Sequence, residues 1–378
     1  MQPRRVATAV GLLAVLAGLA AGAVVLIPGS DAATTELTVA AVPLPAPPPA
    51  PLPATATALW SAPSLPSGGP VLDAGTIVVG AGHRLSGRDA RTGAERWSYQ
   101  RGNATLCAWT IQDGAVVAAF GKRHGCTDLI ALNASTGARR WYRTGPDLGL
   151  DTTLVGANGV VVARSGDELI AIDTTTGLNR WTTRRPSCRY GPVQVSSLGA
   201  ATVLACPGRT LLVEHDAYAD TEHWAVDVPG ADPIVVSVGD PTVLLSVLDG
   251  RPTLTGHDGR GRVRFSVADT RLGRGGDSVP TGFSVGTTTL VWTGTAVVAV
   301  DTRARAVRWS APAVGPPRLD RGEVLVSQPD GFTERAAATG AVRRQLRLAD
   351  HPPESGAVPA RIGALVAANG RSAVTVYG

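Results

Sequence analysis

The chain carries few of the groups from which a reactive site is built. Its 378 residues include one lysine, Lys122, against 34 arginines, with six histidines, four cysteines and only 4% aromatics. It has no G-x-S-x-G, H-E-x-x-H, Walker A or EF-hand loop, which excludes the enzymes and calcium proteins that those motifs define. The histidines (His83, His124, His215, His223, His257, His351) are scattered. Only His215 and His223 share one segment, no third metal ligand lies near them, and all six are expected on the surface. A Ser-His-Asp site assembled from distant loops stays open, because such triads are defined in space. No two cysteines are adjacent or spaced C-x-x-C, and no histidine pair accompanies them, which argues against zinc. The scarcity of lysine, with abundant Ala, Val, Gly and Pro, reports a high-GC codon bias before it reports function.

What is present is a beat. Trp60, Trp97, Trp141, Trp181 and Trp224 stand 37, 44, 40 and 43 residues apart, and Phe265 and Trp309 follow after 41 and 44. A period near 40 residues exceeds a hairpin and suits a four-stranded propeller blade, which buries its faces only by stacking on neighbours. The units read LIALNASTGARRW (129–141) and LIAIDTTTGLNRW (169–181): an apolar strand, a turn, and a second strand carrying the ring. Asp89, Asn133 and Asp173 can accept from backbone amides two residues on, while Gly93, Gly137 and Gly177 supply the positive φ of a bulged hairpin loop.

These units resemble the PQQ-like repeat propellers, whose repeats read roughly as apolar strand, A-x-D-x-x-T-G, then Trp. The resemblance covers about residues 56–378 and points to a non-enzymatic, membrane-anchored member of actinobacterial type. It implies that Trp60, Trp97, Trp141, Trp181, Trp224 and Trp309, with Phe265 as a substitute, dock between adjacent blades. Arg344 falls where the seventh unit should have its ring. The all-β fold expected is an eight-bladed propeller, with seven blades as the alternative. Trp60 sits in a fourth-strand segment with no first three strands before it, whereas the C-terminus offers inner strands with no fourth. The two halves complete one blade, pairing 56–62 with the strand near Val374 to Tyr377 and removing free sheet edges.

The family includes quinoprotein dehydrogenases, which hold quinone against a disulfide of sequence-adjacent cysteines and a bound calcium. That clamp is missing, and the two tryptophans outside the beat, Trp109 and Trp292, read as core. No catalytic residue, cofactor or metal ligand is assigned. Cys107 and Cys126 lie 34 and 15 residues before their Trp, and Cys188 and Cys206 lie 36 and 18 before theirs. In each pair the cysteines flank an antiparallel hairpin, so disulfides Cys107–Cys126 and Cys188–Cys206 are expected, in an oxidising compartment.

Residues 1–5 are read as a cytoplasmic tail, 6–27 as a transmembrane helix, 28–55 as a Pro-rich extracytoplasmic linker and 56–378 as the propeller. Val6 to Ile27 is 22 residues without charge, long enough to span a core of about 30 Å at about 1.5 Å per residue. A cleaved signal peptide is the rival, but the run exceeds the usual h-region of roughly 7 to 15 residues. Arg4 and Arg5 place the C-terminal bulk outside. No cysteine precedes Cys107, so a lipid-bearing N-terminal cysteine is excluded. Seven prolines between Pro43 and Pro53 favour an extended spacer of about 3.1 Å per residue, able to hold the ring up to roughly 90 Å from the bilayer.

Net charge is +5, apportioned as +2 before the span, −2 in the linker and +5 on the ring. Arg139, Arg140, Arg143, Arg180, Arg184 and Arg185 fall on outer strands, where charge discourages edge pairing. A possible cell-wall polymer contact is the sharper reading of that basic excess; nucleic acid is not expected outside the cell. The functional expectation is a scaffold for envelope or membrane proteins in envelope assembly or secretion. The competing expectation is binding of a cell-wall glycan or small ligand in the central channel.

Overall fold

The computed structural model describes residues 31, 33–67, 71–122, 125–276 and 278–378. The expected tail and membrane span, 1–27, lie outside the described residues. Within them, no helix is long and apolar enough to cross a membrane.

The apolar runs become short strands that meander antiparallel into eight sheets. The second blade shows the pattern, with strands Thr105–Gln112, Ala115–Lys122, Gly125–Asn133 and Arg139–Leu148 in sequence order across the sheet. Because each blade is covered on both faces by its neighbours, its middle strands are nearly continuous in apolar residues, as in Ala115–Lys122 (AVVAAFGK). The core is correspondingly divided between blades. Val160, Val162, Leu169, Ala171 and Trp181 of the third blade pack on Tyr190, Val193, Ala200, Leu204 and Val213 of the fourth.

The ring closes as the incomplete ends require. Ala58–Pro63 is the fourth strand of the last blade, antiparallel to Ala373–Tyr377, with Trp60 opposite Val376 and Pro63 opposite Ala373. Inward of Ala373–Tyr377 the same blade continues with Leu365–Asn369 and then Val358–Ile362.

One segment departs from expectation. The chain from Asp31 to Ala56 does not stand off as a free spacer but lies on the ring. Thr35–Thr38 adds a fifth, antiparallel strand to the outer edge of the first blade, and Thr55–Ala56 pairs in parallel with Val342–Leu348 of the seventh. Between them the amide of Ala40 donates to Thr136 O at 2.9 Å. The proline run then passes close to Gly75 and Gly363: a Cβ at these positions would stand 2.7 Å from Pro45 O and 3.0 Å from Pro48 O. The physical reason is the blade edge. Outer strands present unpaired N–H and C=O groups, and a nearby segment that satisfies them has more to gain from docking than from solvation.

In a four-strand meander the first-to-second and third-to-fourth turns share one face. The proline strap crosses that face, called here the strap face. The second-to-third turns and the crossovers between blades lie on the other, the crossover face.

Candidate interaction surface

The docking aromatics of several blades sit at the same local irregularity. The third and fourth strands slip register one residue before the ring, between Ala131 and Leu132, Ala171 and Ile172, and Ala299 and Val300. The extra residue is Arg140, Arg180 or Arg308, and such a bulge re-aims the following side chain. Opposite the ring in the first three blades stands a small residue: Ala131 faces Trp141, Ala171 faces Trp181 and Gly87 faces Trp97.

The turn of the next blade receives the indole. Asn133 Oδ1 accepts from the amides of Ser135 and Thr136, both at 3.0 Å, and Asp173 Oδ1 from Thr175 and Thr176, both at 2.9 Å. Gly137 closes its turn at φ +74° and lies under the Trp97 ring, where a Cβ would come within 2.7 Å. In the sixth blade Arg305 takes that left-handed position at φ +56°. The indole Nε1 of Trp60 donates to Ala90 O at 3.0 Å, that of Trp97 to Ala134 O at 3.0 Å, that of Trp141 to Thr174 O at 2.9 Å and that of Trp309 to Ala337 O at 2.8 Å. Phe265 packs with Val298 and Val300 of the following blade. Trp109 and Trp292 are buried in the core.

Trp181 and Trp224 are seated differently. Their Nε1 atoms have no hydrogen-bond partner. Trp181 stacks on His215 at 5.3 Å between centroids and Trp224 on His257 at 6.2 Å. This corrects the expectation of surface histidines, since His215 is only 4% exposed. The signal was in the repeat: His215 and His257 precede the turn carboxylates Asp216 and Asp258, a position held by Leu132, Ile172 and Val300 in other units.

Burial pushes the His215 imidazole below its ordinary 6.5, against the field of Glu222 and with that of Arg185; Asp220 and His223 add opposing contributions. Unfolding releases His215 to protonate. Its contribution to stability is therefore fully present above about 6.5 and is lost as pH falls through that unfolded value toward the lower folded one, at up to about 1.4 kcal/mol per pH unit. Thermal melts from pH 7.5 to pH 5 (about 2.5 units) should show a smaller drop for His215→Phe, which keeps a stacking ring, than for the wild type. Equal drops would remove His215 from the account.

At the seventh ring position the aromatic is replaced by ions. Arg344 stands opposite Glu334, its Nε 3.9 Å from the carboxylate. Glu334 also pairs with Arg361 of the last blade, whose other guanidinium nitrogen donates to Ala50 O of the strap. Asp320 lies 3.6 Å from Arg361. Around them a cleft of about 550 Å³ opens between Pro49–Pro51 and Arg321, Glu323, Arg343 and Arg344.

A larger cleft, about 1060 Å³, lies on the crossover face between the first three blades, lined by Leu65, His83, Leu106, Lys122 and Leu150 among others. Beside it Asp31 Oδ1 accepts from Asn103 at 2.7 Å and Lys122 at 2.9 Å and pairs with Arg101 at 3.0 Å. The Lys122 hydrogen bond, ahead of that from Asn103, holds the Asp31 carboxyl down to about 2. Arg101 is itself buried against Asp128 at 2.9 Å. Disulfides join Cys107 to Cys126 and Cys188 to Cys206, each within one blade as expected. Among the described residues no group of three or more His, Cys, Asp or Glu is placed to hold a metal ion.

Comparison with known proteins follows the same lines. The chain is 37% identical over 84 residues to the serine/threonine-protein kinase AfsK of Streptomyces griseus, a match over 21% of this chain and 10% of the kinase. The chain thus spans only a small part of that relative. Its fold is similar to that of BamB from Moraxella catarrhalis (TM-score 0.56, 18% identity, 85% of this chain and 99% of that one). It is also similar to a quinohemoprotein alcohol dehydrogenase from Pseudomonas putida HK5 (TM-score 0.53, 13% identity, 85% and 76%). Likeness at these identities concerns fold alone. Residues 52–240, from the strap into the fifth blade, match the family described as outer membrane protein assembly factor BamB, and the chain belongs to that family of PQQ-like repeat propellers.

Proposed function

We propose that this chain is a membrane-tethered propeller on the extracytoplasmic side, acting as a non-enzymatic scaffold for protein partners in envelope assembly or secretion. One observation carries the reading: in the third, fifth and sixth blades the turn carboxylates that chemistry would use are engaged with arginines of the same blade. Asp173 and Asp301 cap their own turns and pair with the bulge arginines Arg180 and Arg308 at 2.5 and 2.8 Å. Asp258 does the same with Arg262 at 2.9 Å. The ring offers partners broad rims and loops, and among the described residues no group of three or more His, Cys, Asp or Glu is placed to hold a metal ion. Family membership and the paired disulfides support a secreted scaffold, and the apolar Val6–Ile27 run supports the tether.

The test has two arms. Photocrosslinking residues placed at exposed turn positions such as Thr175 and Ala304 in living cells should yield discrete protein adducts that differ between sites; an absence of adducts at every position contradicts the scaffold. Pyrroloquinoline quinone with calcium should leave the melting temperature unchanged, whereas a ligand at a hundred times its dissociation constant would stabilise the fold by about 2.7 kcal/mol. A clear upward shift, or dye-linked alcohol oxidation, would overturn the non-enzymatic reading.

A further inference from the structure

We propose that the crossover face of the first three blades rests on the phospholipid surface, so that the strap face points away from the membrane toward partners. This rests on the proposed anchor at Val6–Ile27 and adds to it an orientation. The argument begins at Asp31, which is fastened to the ring by Arg101, Asn103 and Lys122. Only Pro28, Gly29 and Ser30 separate it from the end of the apolar run. Four residue steps of extended chain reach at most about 14 Å. The tether is therefore short, because the prolines expected to lengthen it lie after the attachment point and run over the opposite face.

Where the tether enters, the surface suits an interfacial position. The crossover-face cleft mixes apolar lining from Leu65, Leu106 and Leu150 with His83 and the Lys122 ammonium. Leu150, in the crossover between Leu148 and Thr153, is 67% exposed. Arg189, in the next crossover region, is also largely exposed, pairing with Asp151 at 3.2 Å. Exposed apolar side chains bordered by polar groups, here the Lys122–Asp31 and Arg189–Asp151 ion pairs, fit the boundary between headgroups and acyl chains. The anchor holds this sector within a few residues of that boundary at all times, so even weak contact is favoured by high effective concentration.

All four native cysteines are in disulfides, so an introduced cysteine is a unique thiol. The full chain, reconstituted in phosphatidylcholine–phosphatidylglycerol vesicles bearing a headgroup-linked quencher, is labelled with a fluorophore at Leu150→Cys, Thr175→Cys or Ala304→Cys. Thr175 and Ala304 sit in strap-face turns of the third and sixth blades. The expected result is flotation of all three variants, with fluorescence at position 150 falling by more than half and the other two little changed. Flotation with position 175 or 304 quenched as strongly as 150 overturns the orientation and leaves the anchor standing. Failure to float overturns both.

Discussion

Trp97→Ala lowers the unfolding free energy by about 3–5 kcal/mol, measured by denaturant titration or calorimetry. The indole is fully buried (0% exposed), in the cluster shared by the last, first and second blades, and it donates to Ala134 O on the neighbouring turn. Truncation removes that contact area, leaves a cavity and strands the carbonyl together. A total stability of 5–15 kcal/mol is typical of a domain, so the loss is a large share of it. Trp97→Phe separates the parts, retaining most of the apolar area and losing the hydrogen bond, and should cost nearer 1 kcal/mol. Gly137→Ala attacks the same seat from the other blade, through both the left-handed backbone and the Cβ that would meet the ring. A Trp97→Ala protein that melts within a degree or two of wild type would show that the indole does not hold the blades together.

Arg361→Met is expected to cost about as much, roughly 3–5 kcal/mol, by leaving the carboxylate of Glu334 buried with only the more distant Arg344 beside it. Both side chains are 8% exposed, so solvent gives little relief. Removing the two charges together, as Arg361→Met with Glu334→Leu, should recover much of the loss, because the pair gains little over an apolar replacement while either half alone is costly. Arg361 also holds the strap carbonyl of Ala50. The single variant should therefore be cleaved faster by protease between Pro43 and Pro53, a change that loss of ring stability alone would not confine to this segment. If the single and double variants unfold alike and the strap is cut no faster, the seventh junction is not held by these ions.

The two junctions differ in how far their partners lie apart along the chain, and that decides what could be read in advance. The turn carboxylates, the positive-φ glycines and the rings belong to one short unit repeated in every blade. Local backbone chemistry and the aromatic beat therefore specify the blade, its seat and, through the complementary ends, the closure of the ring. The cysteine pairs were legible for the same reason, each spanning a single hairpin. His215 and His257 were half legible: they occupy an apolar position of the repeat, but their stacking on Trp181 and Trp224 depends on the adjoining blade.

Residues with no repeat to compare stayed opaque. Arg344 marked the seventh junction as exceptional, yet Arg361 and Ala50, which complete it with Glu334, come from other parts of the chain, and no periodic pattern relates them. The proline run reads as a spacer by composition, since composition records stiffness and polarity. Its docking depends on open hydrogen-bonding groups along the outer strands of the first and seventh blades, which exist only once the sheets have formed. Sequence by itself thus determined the blade, its docking ring and the number of blades, because these follow from short-range turn chemistry and a repeated period. Tertiary structure alone decided where the segment from Thr35 to Ala56 lies and which charges meet at the seventh junction, because both depend on surfaces created by folding between residues far apart in the chain.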